Sequence, residues 1–220
     1  MKKHLFLPLA LMVVFALSRL PGCLPENFSA AYALMFCAGV YFPRRLAWWL
    51  PLAVMLVTDL GLNLYYQLDL GIPAFNLAVL KYLGINYGAY AVLIWLGRRF
   101  QSQAHFLTLL GGGFLGAILF YVVTNTAAWL FNPFHNPEYA RNLAGWFIAL
   151  TKGTAGYPQT WEFFRNTLMS GGLFTGLFAG AMKVGEASEK SEEKEPQEEE
   201  AEEPQEEETA RAWTVTVAHR

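Results

Sequence analysis

From Phe106 to Phe131 the chain reads FLTLLGGGFLGAILFYVVTNTAAWLF, without one charged side chain. A run of that length can cross the roughly 30 Å hydrocarbon core of a bilayer. That layer has no water to satisfy backbone N–H and C=O groups, so the run must be a helix that bonds to itself. Five further apolar runs follow the same rule: residues 5–20 after Lys2-Lys3, Ser29–Phe42 (short), Leu46–Tyr66, Ala74–Gly97 and Trp161–Lys183. Together they predict an all-α, polytopic bundle of six transmembrane helices. The first run also has the look of a signal peptide, and Leu20-Pro21-Gly22-Cys23 approaches a lipoprotein cleavage box. Because further apolar spans follow at once, it is read as an uncleaved helix.

The charges orient the bundle. Lys2-Lys3, Arg44-Arg45, Arg98-Arg99 and Lys183 fall on one side, and Glu26, Asp69 and Glu138 on the other, with Arg141 and Lys152 in the long loop. The excess of Lys and Arg marks the cytoplasmic side. Both termini are therefore expected inside, in a multi-pass protein of the inner (plasma) membrane. The loop 132–159 carries Pro133 and Pro137 and then ARNLAGWFIALTK, which suits an amphipathic helix lying at the interface.

Net charge alone hides a division of the chain. Residues 1–185 hold five acids against twelve Lys and Arg, whereas 186–220 hold thirteen acids against four. The sequence thus predicts a transmembrane domain over 1–185 and a disordered acidic cytoplasmic tail over 186–220, where nothing can be buried. Cys23 and Cys37 have neither metal-ligand spacing nor a disulfide framework, and read as small apolar residues.

In the last run Gly172, Gly176 and Gly180 recur every fourth residue. Glycine weakens a helix in water by about 1 kcal/mol relative to alanine, but in lipid this spacing lets two backbones approach closely. The ridge is expected to pack against another helix, within the bundle or on a partner subunit. Arg165 points the same way and needs a partner or a ligand.

Polar side chains gather at one depth. At about 1.5 Å per helical residue, Asp59 lies about 10 Å below the outer surface, with Lys81 at similar depth and Asn125 close to it. Arg19 ends the first span and Arg165-Asn166 begin the last, both on the outer side. Asp59, Asn63 and Tyr66 share one face of their helix. Gly113, Ala117, Tyr121 and Asn125 share a face of the fifth span, and Lys81, Gly84 and Gly88 one of the fourth. The inner halves are nearly bare of polar groups, which argues against a through-channel. The expectation is an outward-facing pocket: Asp59, Lys81, Asn125 and Arg165 face it, with Asn63, Tyr121 and Asn166 near its wall. A structural ion pair of Asp59 with Lys81 or Arg165 is the alternative.

Arg19-Leu20-Pro21, Asn27-Phe28-Ser29, Thr58-Asp59, Tyr157-Pro158 and Phe163-Phe164-Arg165-Asn166-Thr167-Leu168 resemble a family of uncharacterised bacterial six-helix membrane proteins regarded as transport proteins. The resemblance covers about residues 15–183. In size and topology that family is similar to the S components of energy-coupling-factor vitamin transporters. The resemblance implies a substrate in the outer half of the bundle and docking on a transmembrane energising partner through a small-xxx-small surface. In S components that surface is usually on the first helix; here the sixth span carries it.

An enzyme is not expected. The chain has no HExxH, no GxSxG and no aspartate pair on facing helices, and His4, His105, His135 and His219 do not cluster. Gly111-Gly112-Gly113 lacks the Lys-Ser/Thr of a phosphate loop. No cofactor, metal or nucleic acid is expected as a partner. Without an ATP-binding motif, active transport would draw on a partner subunit or an ion gradient. The residues suit a small, partly aromatic, anionic substrate. The competing function is a non-transporting scaffold or assembly subunit of a cell-envelope complex.

Overall fold

The computed structural model describes residues 12–22, 24–25, 27–185 and 187. The basic start of the first span, Cys23, Glu26, His4, His219 and, apart from residue 187, the acidic tail lie outside the described residues. Two compact units divide the chain, Met1–Gly180 and Ala181–Arg220, and in the second the described residues 181–185 are helical.

Among the described residues there are seven helices and no strand. Helix α1 covers residues 12–18. It is followed by α2 (Ala31–Tyr41), α3 (Leu46–Leu68), α4 (Leu77–Gly97), α5 (Phe106–Phe131) and α6 (Leu143–Thr151). Helix α7 runs over residues 160–185. Helices α3, α4 and α5 are long and apolar enough to cross a membrane by length and composition, with 23, 21 and 26 residues. The chain is on this ground an integral membrane protein.

The second apolar run, short enough to be tilted or shielded by its neighbours, forms a short helix in the structure. Helix α2 has 11 residues, about 16 Å of axis, too little for a bilayer core. It lies instead in the middle of the bundle, packed on α3, α4 and α5. Ala31 to Gly39 are all buried. A helix apolar all round is stable only with neighbours on every side, and here protein rather than lipid supplies them.

Helix α2 reaches α4 backbone to backbone. A Cβ on Gly39 would fall within hard contact of the Ile94 carbonyl oxygen and 3.0 Å from Gly97 Cα. A Cβ on Gly97 would run into the Phe36 carbonyl and lie 3.0 Å from Gly39 Cα. Beside this crossing the Phe36 ring meets Phe100 edge-on at 5.2 Å and lies over Gly112 of α5.

Helix α5 is the neighbour of the glycines on α7. Gly113 leaves room for the Thr175 side chain, and a Cβ on Gly171 would come 2.8 Å from Ala117 Cβ. Gly172 abuts the Phe114 ring, whereas Gly176 has only ordinary contacts at 3.8 Å with Leu110 and Phe106, and Gly180 has nothing within 4 Å. The tight seam therefore takes in Gly171, Gly172 and Thr175, so the ridge read from the sequence meets α5 closely at Gly172 and loosens toward Gly176 and Gly180.

Thr175 is wholly buried in this seam, and its hydroxyl has no hydrogen-bond partner. A buried, unsatisfied hydroxyl costs about 1–3 kcal/mol. Thr175→Val, of nearly the same shape, should therefore melt in detergent no lower than the parent, and higher by up to about that amount. A clear loss of melting temperature would show that the hydroxyl has a partner after all.

The helix starts explain their own positions. Asn76 caps α4 by accepting the Val79 N–H at 3.0 Å, and Asn142 caps α6 by accepting the Gly145 N–H at 2.8 Å. Pro73, which disfavours helix at the residue before it, precedes the α4 cap. Helix α4 therefore begins at Leu77 rather than at Ala74, as the hydropathy alone had it.

Candidate functional site

Arg19 follows α1 in a turn and projects onto α3. One Nη of its guanidinium pairs with Asp59 Oδ1, and the other lies 3.3 Å from Met55 Sδ. Met55 and Asp59 are four residues apart, so one face of α3 presents both, and both are buried. From α4 the Tyr87 hydroxyl donates to Asp59 Oδ2 at 3.0 Å. Both oxygens of the acid are thus engaged. The pair is nearly closed to solvent, with side-chain exposures of 15% for Arg19 and 8% for Asp59. Arg19 Nε is buried and has no hydrogen-bond partner among the described residues.

An aromatic layer backs this cluster. Tyr87 meets Tyr90 edge-on at 5.9 Å, and Tyr90 stacks on Phe120 of α5 at 5.2 Å. Phe120 in turn touches Tyr32 of α2 at 4.7 Å. The Tyr32 hydroxyl donates to the Asn27 carbonyl at 3.3 Å. The loop that leaves α1 is tied down here as well, since Ala30 N–H donates to Ser18 Oγ at 3.2 Å.

Depth explains the choice of partners. Asp59 is nine residues before the end of α3, and Tyr87 is ten residues into α4. Both are therefore about 14–15 Å along their axes from the same end of the bundle. Lys81, four residues into α4, is about 6 Å in and is too shallow to meet Asp59. It lies on an exposed face, as do Gly84 and Gly88, which have nothing within 4 Å. The Lys81–Gly84–Gly88 stripe expected to line the pocket is the outer face of α4. The buried face holds Ala89, Tyr90, Leu93, Ile94, Leu96 and Gly97.

The remaining predicted residues sit elsewhere. Arg165 is exposed, and its guanidinium lies over the Trp161 ring of its own helix at 5.8 Å. Among the described residues neither Arg165 nor Lys81 forms an ion pair with Asp59. Asn125 Nδ2 donates to the Tyr121 carbonyl at 2.9 Å. The Tyr121 ring packs on Phe164 at 4.4 Å, and its hydroxyl donates to the Leu150 carbonyl. The α5 stripe of Gly113, Ala117, Tyr121 and Asn125 is therefore the side that meets α7 and α6. Asn63 and Asn166 are half-buried. The structure thus brings Asp59 to Arg19 and Tyr87, and Tyr121 to Asn125, and leaves Lys81 and Arg165 on exposed surfaces.

Reasoning from sequence did place Arg19 in the outer tier but did not assign it to Asp59, and it missed Tyr87. The signal for Tyr87 was the Asn76 cap: counted from there, Tyr87 is level with Asp59. Among the described residues no three of His, Cys, Asp and Glu come together as metal ligands would.

Chemically the cluster is a guanidinium clamped by a carboxylate, with its Nε–H unused, beside the aromatic rings of Tyr87, Tyr90 and Phe120. A buried charge pair holds its geometry through such hydrogen bonds, and the spare Nε–H would suit an anionic or carbonyl oxygen.

The chain belongs to a family of unknown function, DUF6580, whose model matches residues 1–193. No curated protein and no solved structure matches it.

Proposed function

We propose that this membrane protein is a small-molecule transport or substrate-binding component, multi-pass in the inner membrane, whose ligand meets the Arg19–Asp59–Tyr87 cluster. The observation that carries this reading is the buried Arg19 Nε, left without a partner. An arginine held deep among transmembrane helices is costly, and one kept there with unused donor capacity suggests a role beyond holding Asp59. The tyrosines and Phe120 beside it favour a ligand with an aromatic part and an anionic or carbonyl oxygen. Energy for movement would come from a transmembrane partner subunit or an ion gradient. No catalytic role is proposed.

A second reading, a non-transporting scaffold in a cell-envelope complex, draws on Gly61, Gly84 and Gly88. They open onto empty space on α3 and α4, where another helix could approach closely.

Purification in detergent, followed by mass spectrometry of the released small molecules, separates the two. Arg19→Lys keeps a cation against Asp59 but removes the Nε–H and the planar fork. The parent should carry an organic ligand at near-stoichiometric amount, and folded Arg19→Lys should have lost it by tenfold or more. Identical small-molecule contents in parent and variant would remove the binding reading and leave the scaffold.

A further inference from the structure

The segment between α5 and α7 encloses a separate, open cleft of about 330 Å³, lined in part by Glu138, Ile148, Lys152, Ala155, Tyr157 and Gln159. Nothing in the proposed function uses it. Glu138 Oε1 accepts the Ala155 N–H at 3.0 Å, and Oε2 has no hydrogen-bond partner among the described residues. The Glu138 side chain belongs to the lining of the cleft. Lys152, at the C-terminal cap of α6, is exposed and lines the same cleft. Among the described residues no ion pair reaches Glu138, so its carboxylate and the lysine ammonium are farther apart than the 4.0 Å of such a pair.

Two unlike charges that share a cleft without neutralising each other are complementary to a ligand of reversed polarity. We infer that this cleft binds a zwitterion carrying a primary ammonium and a phosphate on a short spacer, the phosphoethanolamine group. The ammonium goes to Glu138 and the phosphate to Lys152. A primary ammonium supplies the N–H donors that the Glu138 carboxylate lacks, and a spacer lets one molecule meet two charges that do not pair with each other. The surroundings suit a lipid headgroup as one source, because α6 exposes Leu143 and Phe147 on one face, as a helix lying in the bilayer interface does. A free solute bearing the same group is the other source.

The test is binding by the full chain in detergent to O-phosphoethanolamine, O-phosphocholine and ethanolamine, with a second arm in nanodiscs containing or lacking phosphatidylethanolamine. Phosphoethanolamine, free or as the lipid, should bind at least tenfold tighter than its trimethylated counterpart, which has no N–H to donate. Glu138→Gln should remove that preference. Lys152→Gln, on an exposed residue that folding does not need, should weaken phosphoethanolamine tenfold and leave ethanolamine unchanged. Binding of the soluble compound identifies a free solute, and binding only in nanodiscs identifies a lipid. Equal affinity for the amine and its trimethylated form, no response to Lys152→Gln, or no binding in either arm would overturn the assignment.

Discussion

Replacing Gly97 with alanine should lower stability by about 3 kcal/mol or more, and leucine at the same position should abolish folding. The added Cβ meets the Phe36 carbonyl and the Gly39 backbone, neither of which can turn aside as a side chain would. Overpacking a core by a methyl group typically costs about 1–3 kcal/mol, and here the obstructing atoms belong to a central helix held on three sides. Gly39→Ala closes the same gap from the other helix. The two changes together should therefore cost less than the sum of the singles, because one displacement of α2 from α4 relieves both. Gly84→Ala and Gly88→Ala on the outer face of α4 are the controls. They meet nothing within 4 Å, so helix propensity alone should leave them neutral or stabilising by up to about 1 kcal/mol. Thermal unfolding in detergent measures all of these. Parent-like melting of Gly97→Ala would mean that α2 and α4 do not cross as described.

The second large effect concerns the buried charges. Arg19→Gln and Asp59→Asn should each destabilise the bundle by about 3 kcal/mol, because removing one partner strands the other in a nearly closed site. Arg19→Gln with Asp59→Asn should recover most of that loss, since buried ion pairs are often replaceable by neutral groups at little net cost. The recovered double variant should still lack the ligand that the parent carries. Arg165→Gln, by contrast, should cost under about 1 kcal/mol, its guanidinium being exposed and, among the described residues, lying over the Trp161 ring. Additive losses in the Arg19 and Asp59 cycle would rule out a direct pair. A double variant that is restored and still binds ligand would reduce the cluster to structure alone.

Hydropathy was enough for the long apolar elements themselves. The uncharged run of α5 matches Phe106–Phe131 at both ends, because lipid leaves the backbone no alternative to a helix. The long loop does carry a short helix at Leu143–Thr151, within the stretch ARNLAGWFIALTK that the sequence marks for one. These features depend on local chemistry, which the sequence states directly.

Which faces turn inward was not local. In water, polar residues mark the outside of a helix. In lipid, outside and inside are equally apolar, so the spacing that set Lys81, Gly84 and Gly88 on one face gave no sign that this face points out. The same blindness left α2, which the structure packs on α3, α4 and α5, undecided between a tilted span and a segment shielded by its neighbours. It also hid the Gly39–Gly97 crossing, because a lone glycine on each of two helices becomes informative only when the helices meet. Sequence by itself determined that the chain makes long apolar helices, the bounds of α5, and that charge lies deep among them. Only the tertiary structure decided that Asp59 takes Arg19 and Tyr87 as partners, because helix length, cap position and crossing point together fix which side chains share a depth.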